Sequence, residues 1–192
     1  MPPRRGKPES SSTSRLLREL ETRTEQLALI NGVLRTIVSG APLPDILRVF
    51  ASNLKTICPF DRCSISIYDD GQNVFHVPYM VMGGRVQETK EAPRPFASTP
   101  LSEAIRTGRP VVRRDIRSEQ KHFDADGAFT KKGFGCEMLV PLQVGPKPFG
   151  TFNIGAFEAD RLTDDHLRAV AEIIPAIAVA VWQHMRPQRA VR

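Results

Sequence analysis

Residues 135–157 read GCEMLVPLQVGPKPFGTFNIGAF, two apolar runs on either side of GPKPFG. Two strand-length runs joined by a Gly/Pro turn predict a β-hairpin, with strands over 137–144 and 149–157. Side chains alternate across a sheet, so each strand sorts its residues onto two faces. Met138, Val140 and Leu142 on the first strand, and Phe152, Ile154 and Ala156 on the second, are wholly apolar and suit a face covered by helices. Glu137, Leu139, Thr151 and Asn153 fall on the opposite face, with Phe149, Gly155 and Phe157 in the same register. That face is a mixed polar wall of the kind that holds a small ligand. Cys136, one step before Glu137, then points to the helix-packed side.

After the hairpin, TDDHLRAVAEIIPAIAVAVWQHM predicts a helix capped by Thr163, with Asp164 and Asp165 at the positive end of its dipole. Its apolar stripe contains Leu167, Val170, Ile174, Ile177, Val181 and Met185, and Pro175 in its interior removes one hydrogen bond and introduces a kink. Before the hairpin, Cys63, Ile65 and Ile67 alternate with polar residues, and DDGQ punctuates a turn into a second strand. TPLSEAIRTG predicts a short helix with Thr99 as its cap, Pro100 at its first position and Gly108 closing it. RPVVRRDI predicts a strand, and residues 118–135 mix helical and loop signals. Ile46, Leu47, Phe50, Leu54 and Ile57 mark a further helix ending before Pro59. Long helices at both ends of an antiparallel sheet define an α+β fold with those helices packed on one face.

Upstream, Leu20, Leu27 and Leu34 fall seven apart, with Leu17, Thr24, Asn31 and Val38 in the alternate seam. This three-heptad pattern predicts a dimerising helix over 15–40, with Ser14 as its cap and Gly40 as its stop. Leu17, Leu20, Leu27, Asn31 and Leu34 form the expected seam, Asn31 setting register; the alternative is a helix packed on its own domain. Residues 1–14, rich in Pro, Ser and charge, read as a disordered basic tail, 41–185 as the folded domain and 186–192 as a second basic tail.

The chain has 192 residues and a net charge of +6. Removing the seven basic residues near its ends leaves 20 basic and 20 acidic residues between positions 16 and 183. A neutral body argues against specific nucleic-acid binding, and RRDIR at 113–117 reads as a solvated strand edge. No run approaches the apolar length of a membrane span or a secretory signal. Cys58, Cys63 and Cys136 are an odd set without metal-ligand spacing, which suits reduced thiols in the cytoplasm. No catalytic motif, metal site or phosphate loop is legible. Cys136 is a poor nucleophile beside Glu137, since a neighbouring carboxylate raises a thiol's pKa. His122, with Phe123 and Phe129, lies in the mixed segment and could meet a planar ligand; a solvated loop histidine is the alternative. Asp69, Asp70, Asp124 and Asp126 read as turn residues.

Several pieces fall in one order: Thr107-Gly108, Pro110 through Asp115, Val140-Pro141-Leu142, Gly150 through Ile154, then Thr163 onward. In that order and spacing, from about Leu27 to His184, the chain resembles a GAF domain, as in bacterial two-component sensors and formate-hydrogenlyase-activator-type regulators. The resemblance implies a GAF/PAS-like antiparallel sheet, terminal helices on one face, and a pocket covered by short helices and loops on the other. It implies a sensor or regulatory module that binds a small ligand, dimerises through its terminal helices and acts on a signalling output domain or partner protein. The implied ligand site comprises Glu137, Leu139, Thr151, Asn153, His122, Phe123 and Phe129. No cofactor is specified, because the N-K-x-F-x-D-E signature of cyclic-nucleotide-binding members and the Cys-His of bilin-binding members are both absent. Free methionine-(R)-sulfoxide reductases share the fold, so a thiol-dependent reductase is the enzymatic alternative, and a ligand-free dimerisation module the third reading.

Overall fold

The computed structural model describes residues 9–119 and 122–189. Its first helix, α1 (Glu9–Val38), is followed by α2 (Leu43–Ile57), β1 (Arg62–Asp69), β2 (Val74–Met82), β3 (Arg85–Glu88) and the two-residue β4 (Arg94–Pro95). A 3-10 turn (Phe96–Ser98) leads into α3 (Leu101–Thr107), β5 (Val111–Arg113), α4 (Asp126–Lys131), β6 (Cys136–Gln143), β7 (Pro148–Ala156) and α5 (Asp164–Arg189). The strands form one antiparallel sheet in the order β3-β2-β1-β7-β6-β5, with β4 on β2. The expected α+β architecture is what the chain adopts.

One face of the sheet meets α2 and α5, and α1 lies against both of these helices. Phe50 and Leu54 of α2, Ile173 and Ile177 of α5, and Met138, Val140, Phe152 and Ile154 of the hairpin close a continuous core. Cys58, Cys63 and Cys136 belong to it. The facing expected for β6 and β7 therefore holds, with one correction. Leu142 pairs with Gly150 but Gln143 pairs with Pro148, so Phe149 is the extra residue of a bulge. The bulge turns Phe149 to the helix side, where its ring lies 5.1 Å from Trp182.

The helix ends differ from expectation in instructive ways. Positions 9–14, expected in a disordered tail, continue α1, because Ser and Thr cost a growing helix only about 0.5 kcal/mol each. Positions 1–8 of that tail lie outside the described residues. Likewise α5 runs past the expected boundary at 185 to Arg189, and it is unbroken through Pro175. Pro175 sits on the exposed side, where the carbonyl it leaves unbonded can meet water. Thr163 does cap α5: its hydroxyl accepts from His166 N–H at 3.3 Å, while Thr163 N–H donates to His166 Nδ1 at 3.2 Å. That is a capping box with histidine in place of glutamate. Thr99 does not cap α3; its hydroxyl donates to the Phe96 carbonyl at 3.1 Å and stabilises the preceding turn instead.

α1 uses two faces. Ile30, Val33 and Ile37 pack against the core, so the helix does lie on its own domain. Leu17, Leu20, Leu27, Asn31 and Leu34 point away from it; Leu20 is 63% and Leu27 60% exposed.

Candidate functional site

On the face away from the terminal helices, β1, β6 and β7 present Ser64, Ser66, Glu137, Leu139, Thr151 and Asn153. Register explains the grouping: Ser64 is opposite Asn153, and Asn153 is opposite Leu139. Phe75 and Val77 of β2 extend the wall, Thr99 to Leu101 close one side, and Ala125 to Phe129 with Lys132 form a roof. Together they line a half-open cavity of about 80 Å³. Asn153 is the centre of its polar wall. Its Nδ2 donates to Ser66 Oγ at 2.7 Å and Ser64 Oγ at 3.3 Å, and its Oδ1 accepts from Thr151 Oγ1 at 2.7 Å. Gly155 allows the roof to come close: a Cβ there would stand 2.9 Å from Phe129, whose ring stacks on Phe134 with centroids 4.5 Å apart.

Roof and wall are tied by a buried ion cluster centred on Arg113, which is 3% exposed. Its Nη1 and Nη2 donate to the two oxygens of Asp126 at 2.6 and 2.8 Å. Nη1 also donates to Glu137 at 2.9 Å and Nε to Glu119 at 2.6 Å, while the guanidinium lies 5.2 Å from the Phe123 ring centroid. Burial works against the charge on Arg113, but the hydrogen bonds to Asp126 and Glu119 outweigh it and raise the pKa. Burial likewise opposes the charge on Asp126, yet Arg113 and the Phe123 N–H hold its carboxyl below the usual range. In Glu137 burial wins over Arg113, and the carboxyl is pushed up to about 7.

Of the residues expected at the site, Glu137, Leu139, Asn153 and Phe129 line the cavity. Thr151 is fully buried and braces Asn153 from behind. His122 and Phe123 are not brought to it. His122 is exposed, its Nδ1 3.7 Å from Asp126, and Phe123 stacks on the outer side of Arg113. The sequence reading missed Arg113, taken for solvated surface, and Asp126, taken for a turn. A signal was present: Arg113 shares the face of Glu137, its cross-strand partner. It also missed Arg62, which enters the cavity beside Phe129.

None of the three thiols reaches this space. Burial pushes Cys58 and Cys63 up to about 12. Cys136, also raised by burial, donates to the Glu158 carbonyl at 3.1 Å. Among the described residues no group of three or more His, Cys, Asp or Glu could hold a metal, and no helix is long and apolar enough to cross a membrane. A second hollow of about 1390 Å³ runs past Tyr68, Tyr79, Phe149 and Trp182, but it wraps both sides of the sheet and gathers no buried charge.

The chain folds as a seven-stranded antiparallel sheet with terminal helices on one face and a roofed cavity on the other, and residues 40–181 match a family model described as GAF domain. The chain belongs to the GAF domain family. Among solved structures, this GAF domain is similar to that of a phosphoenolpyruvate-protein phosphotransferase from Coxiella burnetii, with TM-score 0.67 and 13% identity over 87% of this chain and 98% of that one. It is similar to free methionine-R-sulfoxide reductase from Neisseria meningitidis in complex with its substrate, with TM-score 0.63 and 14% identity over 86% and 91%. A third similar structure is the GAF domain of a two-component sensor histidine kinase from Bacillus halodurans, with TM-score 0.63 and 17% identity over 74% and 95%. At such identities the likeness is one of fold. No curated protein matches the sequence.

Proposed function

We propose that this GAF domain is a non-enzymatic sensor and regulatory module in signal transduction, in which a small molecule held in the cavity biases the terminal helices of a homodimer. The observation that carries the reading is the roofed polar cavity built on strands whose other face is the helix-packing core. Glu137, Leu139 and Asn153 line the cavity, while their neighbours Met138, Val140, Phe152 and Ile154 carry the helices. A ligand with different affinity for two helix arrangements would shift their populations by that difference. The readout would pass to an output domain or a partner protein, not to nucleic acid. Three free, buried cysteines suit a reducing cytoplasm.

The dimer reading rests on the outward stripe of α1, where heptad-spaced leucines remain uncovered. Native mass spectrometry of protein purified from its own host reads stoichiometry and retained ligand together. Leu27→Asp should convert a dimer to a monomer in sedimentation velocity; a monomeric parent chain would sink the dimer reading.

The reductase alternative has support from the fold shared with free methionine-R-sulfoxide reductases, but the thiols argue against it. Cys58, Cys63 and Cys136 all belong to the helix-side core, away from the cavity. Turnover of free methionine-R-sulfoxide that disappears in Cys136→Ser would replace the sensor reading with the enzymatic one.

A further inference from the structure

Arg62 heads β1 and lies with its guanidinium carbon 5.6 Å from the Phe129 centroid and 6.0 Å from that of Phe134. Its Nε donates to Met80 Sδ at 2.9 Å. Among the described residues no carboxylate oxygen comes within 4.0 Å of this guanidinium, although each other cation around the cavity has one. Arg94 and Lys132 share Glu91, at 2.8 and 3.7 Å, and Arg113 holds Asp126, Glu137 and Glu119. A guanidinium half-withdrawn from water over two aromatic rings, with both terminal nitrogens uncommitted, is a site waiting for an anion.

The adjoining wall has the same polarity. Ser64 and Ser66 each accept from Asn153 Nδ2, and neither hydroxyl donates to any acceptor among the described residues. Both of their O–H groups are therefore available where they line the cavity, on the same face of β1 as Arg62. Donors outnumber open acceptors, which favours an oxygen-rich anion.

Size and charge narrow the class. At about 80 Å³ the cavity is well below the roughly 300 Å³ or more of a pocket for a drug-sized ligand. That space suits an acid of a few non-hydrogen atoms better than a nucleotide, a bilin or a haem. Four cations, Arg62, Arg94, Lys132 and Arg113, face four carboxylates, so the surroundings are neutral with Glu137 ionised and carry one positive charge with Glu137 protonated. A monoanion restores neutrality in the protonated state; a dianion such as sulfate leaves an uncompensated negative charge in a low-dielectric space.

We propose that the cavity takes a small monocarboxylate, with its oxygens on the Arg62 guanidinium and the Ser64 and Ser66 hydroxyls. The proposal rests on the reading of the cavity as a ligand site. Binding takes up a proton at Glu137, because the incoming carboxylate adds a negative charge to a carboxyl that already faces Asp126 of α4 across Arg113 of β5, with Arg62 of β1 on its other side.

The test is titration calorimetry on the full chain with acetate and pyruvate, against acetamide as the neutral isostere of acetate and against sulfate as the dianion. Pyruvate or acetate should bind saturably, in roughly the millimolar to tens-of-micromolar range that so few atoms allow. Affinity should be higher at about pH 6 than at about pH 8, with a proton uptake that changes the apparent heat between buffers. Arg62→Met should weaken the acid about tenfold or more, and Arg62→Lys should recover part of that loss. Thermal unfolding of both variants separates lost binding from lost structure. Equal binding of acetamide or sulfate, or indifference to Arg62→Met, overturns the monocarboxylate class while leaving a ligand site in place. No binding by either acid overturns the proposal. If protein from its own host also carries no small molecule, the ligand-site reading falls with it.

Discussion

Replacing Glu137 with Gln should flatten the pH dependence of stability. Glu137 is 8% exposed, and burial lifts its carboxyl from the ordinary 4.5 to about 7 despite the Arg113 hydrogen bond at 2.9 Å. A carboxyl with a raised folded pKa binds its proton more tightly in the folded than in the unfolded chain. Below the ordinary value both states are protonated and the group is neutral in the balance. As pH rises from 4.5 to about 7, only the unfolded chain releases the proton, so stability falls through that window and stays lower above it. At about 1.36 kcal/mol per unit the loss is of the order of 3 kcal/mol. Gln keeps the shape and an oxygen for Arg113 but has no proton to lose. Urea unfolding from about pH 4.5 to pH 8 should therefore show the variant gaining up to about 3 kcal/mol on the parent as pH rises, the other titrating groups being common to both. Parallel profiles would refute the burial argument. A variant that loses ground at high pH would mean that attraction to Arg113 exceeds the cost of burying the charge.

Three further outcomes test other parts of the molecule. Arg113→Met removes the shared partner of three carboxylates and should cost about 3–5 kcal/mol by chemical denaturation; a loss under about 1 kcal/mol would show that the cluster is not structural. Thr163→Ala deletes the cap of α5 and should cost about 1 kcal/mol, a fall of some 2–4 °C in Tm for a chain of this size, and an unchanged Tm would contradict the capping role. Cys136 should react with a thiol reagent far more slowly in native protein than in urea-unfolded protein, and equal rates would overturn its assignment to the helix-packed core.

What the amino-acid sequence determined by itself was whatever depends on a local period or a local turn. Strict alternation put Val140 and Ile154 against the helices and Glu137 and Asn153 on the other side, since a strand has no third choice. The Thr163 cap and the Gly108 helix stop, with φ of 64°, are legible because their chemistry lies within a few residues. Tertiary structure decided everything that needs a distant partner or breaks the period. Phe149 changes face because one extra residue is accommodated opposite Leu142 and Gln143, and no composition rule marks that bulge. Arg113 reads as one of several surface arginines until the chain brings Asp126 and Glu137, 13 and 24 residues away, onto its guanidinium. Arg62 is the converse case: that no carboxylate oxygen among the described residues lies within 4.0 Å of it is a property of three-dimensional neighbours alone. A buried charge is tolerated or not according to what surrounds it, and only the folded chain supplies those surroundings.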